Sequence, residues 1–431
     1  MSRKTISLRH PSGILRGSVQ LPASKSESNR ALLIQALSPE KITLLNLSEA
    51  NDTVLLQRLL QSAETEINAE DAGTVMRFLT AYFSLAGHHK ILSGTARMHQ
   101  RPIGILVAAL RELGAEINYL GQQGFPPLEI LGFKPKFSGR ASLKLRGDVS
   151  SQFISALLLC APVLPDGLTL EPLGKIASRP YIEMTLALMK QFGVTSEFSE
   201  NAISIAPKTY TGGPFRVEAD WSAASYWYSM AALATDAEIL LAGLKENSLQ
   251  GDSKVASLME DFGVKTTFVP EGARLTKTTE NISRAAIDFA DIPDLAQTFA
   301  LLAAAKKMEL EMTGLESLRL KETDRISALQ TELARFGASL TEVKPGTFLV
   351  KNGTVSGQKS QKAEKADAVK KASILRLKTR IKTYHDHRMA MAFAPLALLQ
   401  KIEIEDPEVV RKSYPDFWEE LRKVGFEIAE V

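Results

Sequence analysis

Several short segments place Lys or Arg beside hydroxyl side chains just before an apolar helical pattern. In SKSESNRALLIQAL, Lys25, Ser26 and Arg30 lead into an apolar stretch. Backbone N–H groups at a helix N-terminus, serine hydroxyls and charged side chains together form a binding site for an anion. Helix capping alone explains the serines but not the two cations. The segment therefore predicts an anion site.

Polar segments of the same kind recur in both halves of the chain. The candidates in the first half are Gly73, Arg101, Ser150, Ser151, Gln152 and Ser178, and those in the second half are Asp294, Lys321, Glu322, Arg325, Arg388 and Lys412. Each has a simpler alternative, namely a helix cap, a surface cation or a solvated run of charges. If their helix N-termini converge on one cleft, the pocket is strongly positive and suits a small substrate with several negative charges.

Two acidic residues stand within this cationic setting. Asp294 lies at a helix entrance in DIPDL, and Glu322 lies in the charged phrase LKETDR. The alternatives are an N-cap for Asp294 and a solvated surface for Glu322. Carboxylates placed among cations in a cleft are candidates for proton transfer.

Composition argues against several other classes of protein. The 431 residues contain 52 Lys and Arg against 49 Asp and Glu, a balance that is too even for a dedicated nucleic-acid binder. No apolar run reaches the roughly 18 residues of a membrane span, and the N-terminal segment lacks the apolar stretch of a signal peptide. Cys160 is the only cysteine, and His385-x-His387 is weak evidence for a metal site. We therefore expect a cytoplasmic protein that holds no metal.

An internal repeat indicates which elements position these residues. An apolar helix end, a glycine and a short alternating strand recur, as in LRELGAEINYL at Leu110–Leu120. The glycines of the five clear copies are Gly114, Gly193, Gly263, Gly337 and Gly425. Glycine suits a helix end because it adopts the left-handed backbone without steric cost. With a degenerate copy at Leu60–Ile67, the pattern predicts a duplicated α/β architecture rather than coincidental helix ends.

One segment interrupts the repeat. Residues 353–373 (GTVSGQKSQKAEKADAVKKAS) are rich in Lys, Ala, Gln and Ser and almost free of large apolar residues. We expect a solvated surface insertion, since its acidic residues dilute the charge of a basic interaction tail.

Taken in order, the motifs resemble the 5-enolpyruvylshikimate-3-phosphate synthase family. The matching phrases run from about Leu21 to Trp418 and read SKSESNR, AGTVMRFL, RPIG, VSSQF, SRPYI, DWSAASY, IPD, LKETDR, DHRMAM and KSYPDF. The resemblance implies an α/β (α+β) fold of two domains, an inside-out α/β barrel built from six repeated helix/strand units. One domain would combine 1–22 with 219–431, the other would be the inserted 23–218, and the active site would lie in the cleft between them.

The resemblance also implies an activity and a set of site residues. The family transfers the enolpyruvyl group of phosphoenolpyruvate to shikimate 3-phosphate and releases phosphate. Carried over by motif, shikimate 3-phosphate would be bound by Lys25, Ser26, Arg30, Ser150, Ser151, Gln152, Ser178, Asp294 and Lys321. Phosphoenolpyruvate would be bound by Lys25, Gly73, Arg101, Gln152, Arg325, Arg388 and Lys412. Lys25, Asp294 and Glu322 would be catalytic, with the assignment of each proton transfer left open, and we expect a monomer without a cofactor.

Four positions depart from the common family pattern. Ala23 replaces a glycine, and Asp71, His385 and Ser317 stand where asparagine is usual. An added negative charge at Asp71 would weaken the binding of phosphoenolpyruvate. None of the four removes a charged catalytic candidate, so we expect activity.

Two alternatives to this function stay open from the sequence. The related UDP-N-acetylglucosamine enolpyruvyl transferases carry Lys-Asn in the first loop and a reactive cysteine in a mobile loop. Here the loop reads Lys25-Ser26, and Cys160 lies in the apolar phrase LLLCAPVL. The second alternative is a noncatalytic anion-binding protein of the same fold, which the presence of Lys25, Asp294 and Glu322 disfavours.

Overall fold

The computed structural model describes residues 4–147, 150–174, 176, 178–199, 202–279, 285–352 and 380–431. The α-helices are α1 (Lys25–Leu37), α2 (Asn51–Leu60), α3 (Gly73–Leu85), α4 (Gly104–Leu113), α5 (Ser151–Cys160), α6 (Arg179–Gln191), α7 (Trp221–Leu233), α8 (Val255–Leu258), α9 (Ala296–Ala305), α10 (Arg325–Arg335), α11 (His387–Phe393) and α12 (Phe417–Lys423). The strands are β1 (Thr5–Arg9), β2 (Ile14–Gln20), β3 (Ile42–Leu45), β4 (Glu66–Asn68), β5 (Lys90–Ser93), β6 (Ala115–Tyr119), β7 (Leu128–Phe133), β8 (Ala141–Arg146), β9 (Leu168–Leu173), β10 (Ser196–Ser199), β11 (Ala202–Ile205), β12 (Gly213–Arg216), β13 (Asp236–Ala242), β14 (Val264–Val269), β15 (Gly272–Lys277), β16 (Ala286–Asp288), β17 (Leu310–Thr313), β18 (Ala338–Lys344), β19 (Thr347–Asn352), β20 (Arg380–Ile381), β21 (Ile402–Glu405) and β22 (Glu427–Glu430).

The chain divides into two compact units. We call them the terminal unit (Met1–Leu21, Trp221–Glu246 and Asp252–Val431) and the inserted unit (Pro22–Asp220 and Asn247–Gly251). The crossings lie one or two residues from the boundaries predicted from sequence, and the short segment Asn247–Gly251 was not anticipated. That segment belongs with the inserted unit because Gln250 Nε2 donates to the Ala219 carbonyl at 2.8 Å.

Five four-stranded sheets share one pairing scheme within the described residues. In β4-β5-β7-β6, β4 pairs parallel with β5, while β7 pairs antiparallel with both β5 and β6. The same scheme holds for β8-β9-β11-β10, β2-β13-β15-β14, β16-β17-β19-β18 and β20-β21-β1-β22. In every sheet the edge strand (β6, β10, β14, β18 or β22) follows one of the five predicted glycines, all of which have a positive φ. The duplicated α/β architecture is therefore confirmed.

The sixth copy is shorter than the others. It consists of the parallel pair β3 and β12, with no hairpin in the described residues. The degenerate copy predicted at Leu60–Ile67 explains the shortening. The chain passes there from the end of α2 directly to β4, and β4 pairs with β5 in the next sheet instead of adding a strand to the β3–β12 pair. The predicted insertion 353–373 lies outside the described residues.

The most buried helices carry the candidate residues at their N-terminal ends. In the inserted unit α5 is buried from Phe153 to Cys160, and in the terminal unit α9 is buried from Ala296 to Ala304. Helices that are apolar on all sides belong in a core, so the ends of these helices are held rigidly. Among the described helices, none is long and apolar enough to cross a membrane.

Candidate active site

In the inserted unit side-chain hydrogen bonds link the N-terminal halves of four helices, joining α5 to α3 and α1 to both α5 and α6. Gln152 Nε2 in α5 donates to Thr74 Oγ1 in α3 at 3.1 Å. Arg30 in α1 donates through Nη2 to the Tyr181 carbonyl in the first turn of α6, at 3.2 Å. Because helix N-termini carry unpaired N–H groups and a partial positive charge, this end of the inserted unit suits an anion.

Lys25 is the first residue of α1, and it is paired with a carboxylate. Its Nζ lies 3.2 Å from Asp52 Oδ2, and the two side chains are only 16% and 7% exposed. Ser24 caps the helix by accepting from the Glu27 N–H at 3.4 Å. Capping therefore explains Ser24, while the ammonium group of Lys25 is held in place by an acidic partner that the sequence analysis missed.

Arg30 is buried and joins three helices. Its Nε donates to Thr185 Oγ1 at 2.7 Å, and its Nη2 donates to Ser155 Oγ at 3.2 Å. Its Nη1 donates to the Ser26 carbonyl at 2.9 Å. Burial lowers the pKa of Arg30 to about 10. The contacts make Arg30 a structural link as well as a candidate ligand, and its predicted contact with substrate stays a prediction.

Arg101 lies directly over Gly73, the first residue of α3. Its side chain is buried, and Nη1 donates to the Asp71 carbonyl at 3.0 Å. A Cβ added to Gly73 would lie 2.9 Å from Arg101 Cζ and 3.0 Å from Nη1. Two separately predicted residues are thus in contact, and the guanidinium group has its present position only because residue 73 is glycine.

The serine candidates have different environments. Ser150 is exposed and caps α5 by accepting from the Gln152 N–H at 3.3 Å, which is the simpler alternative considered for it. Ser151 is buried and Ser26 is partly buried. Ser178 precedes α6 with φ +53°, in the left-handed region that non-glycine residues rarely adopt. Residues held in such backbone conformations cluster at functional sites.

In the terminal unit Arg325 is the centre of a buried ionic network. Its Nε donates to Asp386 Oδ2 at 2.7 Å, and its Nη2 donates to Glu322 Oε2 at 3.0 Å. Its Nη1 donates to Asp294 Oδ1 at 3.1 Å. Burial lowers the pKa of Arg325, but the three carboxylates raise it by more, so the net pKa lies above that of an exposed arginine.

Arg388 completes the contacts of Asp294. Its Nη2 donates to Asp294 Oδ2 at 2.7 Å, and its Nη1 donates to Tyr226 Oη at 3.1 Å. Burial raises the pKa of Tyr226 to about 12, so the hydroxyl stays protonated at neutral pH. Asp294 is therefore held between two arginines rather than serving only as a helix cap.

Glu322 does not belong to a solvated run of charges. Its side chain is 10% exposed, and Oε1 lies 4.0 Å from Lys412 Nζ. Lys321 precedes it in an extended conformation and is partly buried. The structure thus brings Glu322, Lys412, Arg325, Asp294 and Arg388 into one connected group.

With Asp386, which also pairs with Arg325, this group is formally neutral. The expectation of a strongly positive pocket concerns a cleft formed from both halves of the chain and stays a prediction. Three carboxylates (Asp294, Glu322 and Asp386) balance three cations (Arg325, Arg388 and Lys412). The sequence analysis did not identify Asp386 as a site residue, although it stands as an N-cap in front of α11. An anionic ligand at these arginines would compete with carboxylates that are already present.

Three of the departures from the family pattern are accommodated by the backbone. His385 has φ +57°, a conformation in which histidine and asparagine are both enriched. Ser317 is exposed. Ala23 forms an antiparallel bridge with Ala219 where the chain crosses between the units.

The single thiol of the chain lies in the core of the inserted unit. Cys160 is fully buried in α5, and burial raises its pKa to about 12. A buried thiol with a raised pKa is a poor nucleophile. Among the described residues, no group of three or more His, Cys, Asp or Glu side chains is arranged to hold a metal ion.

The fold and these side chains define a two-unit α/β protein whose buried cations and carboxylates suit small anionic ligands. A family model described as EPSP synthase (3-phosphoshikimate 1-carboxyvinyltransferase) matches residues 54–421. The chain belongs to this family, and the resemblance found in its motifs is confirmed.

Individual relatives agree over nearly the whole chain. A 3-phosphoshikimate 1-carboxyvinyltransferase of Bacteroides fragilis (strain YCH46) is 47% identical over 416 residues, which cover 96% of this chain and 96% of that protein. A protein of the same name from Idiomarina loihiensis is 35% identical, and the matched residues cover 95% of this chain and 96% of that protein. A solved structure of EPSP synthase from Acinetobacter baumannii has a TM-score of 0.72 at 21% identity, covering 99% of this chain and 100% of that one. The last comparison supports the fold.

Proposed function

We propose that this chain transfers the enolpyruvyl group of phosphoenolpyruvate to the 5-hydroxyl of shikimate 3-phosphate and releases phosphate. Membership of the family and 47% identity to a relative of that name support the proposal. The observation that carries it is the Arg325 network, in which two candidate proton-transfer carboxylates lie 3.0 and 3.1 Å from one buried guanidinium group. Five of the positions carried over by motif belong to this one network, namely Asp294, Glu322, Arg325, Arg388 and Lys412.

The reaction joins the substrate hydroxyl oxygen to C2 of phosphoenolpyruvate. Protonation at C3 makes C2 electrophilic, the hydroxyl oxygen attacks, and the tetrahedral adduct then loses phosphate and the C3 proton. No net oxidation occurs, so the chemistry requires proton transfer and charge stabilisation only. The predicted absence of a cofactor is consistent with this chemistry and stays a prediction.

The contacts favour one distribution of roles among the catalytic candidates. Asp294 and Glu322 each place a carboxylate oxygen within hydrogen-bonding distance of a guanidinium group, and the ionised carboxylate is the form of these side chains that serves as a general base. We assign the hydroxyl proton to Asp294 and the C3 proton of the adduct to Glu322. Lys25, whose ammonium group lies 3.2 Å from the carboxylate of Asp52, is assigned the initial donation to C3.

The cations are assigned to the phosphate and carboxylate oxygens of the ligands. Arg325, Arg388 and Arg101 each present N–H groups, and the guanidinium fork matches such oxygens in pairs. Because Arg325 and Arg388 both donate to Asp294, binding of ligand oxygens by these arginines would exchange one set of charge-assisted hydrogen bonds for another. That exchange would free Asp294 to act on the hydroxyl.

Cys160 weighs against the UDP-N-acetylglucosamine alternative. The UDP-N-acetylglucosamine enolpyruvyl transferases carry a reactive cysteine in a mobile loop, whereas Cys160 of this chain is fully buried within α5. The noncatalytic alternative is disfavoured because Lys25, Asp294 and Glu322 are all held by ionic contacts. The monomeric state and the cytoplasmic location stay predictions from sequence.

Phosphate release tests the proposal directly. The purified chain is incubated with phosphoenolpyruvate and with either shikimate 3-phosphate or UDP-N-acetylglucosamine, and inorganic phosphate is measured over time. We expect release that depends on shikimate 3-phosphate. Release only with the nucleotide sugar would establish the first alternative, and ligand binding without release would establish the second.

A further inference from the structure

The segment in front of α11 has an unusual backbone. Tyr384 and His385 are consecutive non-glycine residues with φ +55° and +57°. Side chains make this left-handed region unfavourable, and the conformation persists only where surrounding contacts impose it. The next residue is Asp386, which holds Arg325, so the conformation of this segment bears on the proposed site.

Helix α10 supplies the contacts that hold the segment. Arg325 and Glu332 are seven residues apart, which places them two turns apart on the same buried face of α10. Arg325 Nε donates to Asp386 Oδ2 at 2.7 Å, and Tyr384 Oη donates to Glu332 Oε1 at 2.7 Å. Both contacts run between α10 and the same short segment.

Glu332 is itself strongly constrained. Its side chain is completely buried, and its second oxygen accepts from Arg335 Nη1 at 2.9 Å. A buried carboxylate needs such partners because removal from water is costly. Burial and the hydrogen bond to Glu332 raise the pKa of Tyr384 to about 12, so the phenol remains a donor at neutral pH.

The segment in turn sets the position of Arg388. Asp386 Oδ1 accepts from the backbone N–H of Arg388 at 2.8 Å and thereby begins α11. A shift of Asp386 would therefore move the start of α11 and the contact with Arg325 together. Neither Tyr384 nor Glu332 belongs to the ligand sets carried over by motif.

We propose that Glu332 and Tyr384 are positioning residues that fix Asp386 and, through it, the two arginines assigned to phosphoenolpyruvate. The inference rests on the proposed function for the identity of that ligand. The ligand contacts themselves remain with Arg325 and Arg388. Glu332 and Tyr384 act by holding the strained segment in one conformation.

Tyr384→Phe tests the proposal because it removes only the donor oxygen. We expect the KM for phosphoenolpyruvate to rise about tenfold or more, the effect of losing one hydrogen bond to a charged acceptor, while the KM for shikimate 3-phosphate stays within about twofold. The matched control is Tyr210→Phe, which removes a buried phenol that donates to the Leu159 carbonyl at 2.9 Å in the inserted unit. We expect the control to lower the melting temperature and to leave both KM values unchanged.

Glu332→Gln provides a second variant if the first does not fold. Glutamine keeps the size of the side chain, but its single oxygen cannot take the place of both carboxylate oxygens that accept from Tyr384 and Arg335. The buried pairing is therefore disrupted, and the KM for phosphoenolpyruvate should rise here too. The proposal is overturned if, in both variants, the ratio of the KM for phosphoenolpyruvate to the KM for shikimate 3-phosphate equals that of the parent. The contact between Tyr384 and Glu332 would then be purely structural.

A crystal structure of Tyr384→Phe separates this proposal from the proposed function. We expect residues 384–386 to change conformation and the distance from Arg325 Nε to Asp386 Oδ2 to lengthen from 2.7 Å. An unchanged segment would refute the positioning role even if the enzyme is active. If the parent protein releases no phosphate, the proposed function is refuted. The crystal structure of Tyr384→Phe would still decide whether Tyr384 positions Asp386.

Discussion

At the scale of single residues, the proposed site depends on charges that hold one another. Arg325 is buried yet stays charged because Asp386, Glu322 and Asp294 surround it. A buried ion pair contributes little net stability, since desolvation opposes the attraction, but the loss of one partner leaves an uncompensated charge. Such a network therefore orients its members firmly and tolerates few substitutions.

Glu322→Gln should lower turnover while leaving substrate binding intact. Glutamine keeps the size of the side chain and a hydrogen-bonding oxygen for Arg325, but it cannot accept a proton as a base. General acid–base groups contribute about 10²- to 10⁴-fold, so the turnover number at saturating substrates should fall by that factor. The control is Glu316→Gln, an exposed glutamate shortly before it in the chain, which should leave turnover unchanged. Turnover of Glu322→Gln within about threefold of the parent would remove Glu322 from the mechanism.

Gly73→Ala should weaken the binding of phosphoenolpyruvate selectively. The new methyl group would meet the tip of Arg101, which is flexible enough to move, so the fold should survive while the guanidinium group shifts. We expect the KM for phosphoenolpyruvate to rise about tenfold or more, as for the loss of one charge-assisted contact, with little change in the KM for shikimate 3-phosphate. In the control Gly121→Ala, the added Cβ would lie 3.5 Å from its nearest neighbour, Pro127 Cδ, and should alter neither KM. An equal rise in both KM values for Gly73→Ala would mean that the substitution disturbs the unit as a whole.

At the scale of secondary-structure elements, helix N-termini are positioned by polar side chains that cross between helices. In the inserted unit Arg30 links α1 to α5 and α6, while Gln152 links α5 to α3. Arg30 donates to hydroxyl and carbonyl oxygens, which carry no formal charge, and burial lowers its pKa to about 10. The same side chain thus anchors the helices and presents charge at the end where they meet.

Arg30→Lys should destabilise the protein despite conserving the charge. A lysine ammonium cannot reach Thr185, Ser155 and the Tyr181 carbonyl together, so buried acceptors would lose their donors, at about 1–3 kcal/mol for an unsatisfied group. Urea denaturation should show a lower midpoint. Arg179→Lys is the control, because this arginine makes only an exposed pair with Glu183 and should change the free energy of unfolding by about 0.5 kcal/mol or less. Equal midpoints for the two variants would contradict the anchoring role.

The same contacts show how far the sequence alone could lead. The five glycines identified the five four-stranded sheets, because a left-handed helix end is a local property that one residue type satisfies best. The motifs also located Arg325, Glu322 and Asp294. The pairings of Arg325 with Asp386 and of Lys25 with Asp52 were not predicted, since they join residues 61 and 27 positions apart whose proximity depends on the tertiary fold. The hydroxyl of Ser150 caps α5, a short-range contact that the sequence could indicate, and its predicted contact with substrate stays a prediction.

At the scale of the whole molecule, the chain builds each unit from the same helix and strand repeat, and the two crossings divide the terminal unit into segments before and after the inserted unit. It enters the inserted unit between β2 and α1 and leaves it between β12 and α7. The ligand sets carried over by motif draw on both units, with Lys25, Ser26 and Arg30 in one and Asp294 and Lys321 in the other. Neither unit alone contains all the residues that the proposed reaction requires.

We therefore expect shikimate 3-phosphate to protect amides in both units from hydrogen exchange. A bound ligand stabilises the folded state by mass action, about 2.7 kcal/mol at a hundredfold excess over Kd, and it slows local opening most strongly near its contacts. Protection should increase in the first turns of α1 and α5 in the inserted unit and in the turn Pro293–Leu295 of the terminal unit. Helix α4, which holds none of the assigned ligand residues, should exchange unchanged and serves as the internal reference. Protection confined to one unit would show that the other contributes no contact to this substrate, and equal protection by UDP-N-acetylglucosamine would show that the site does not distinguish the two acceptors.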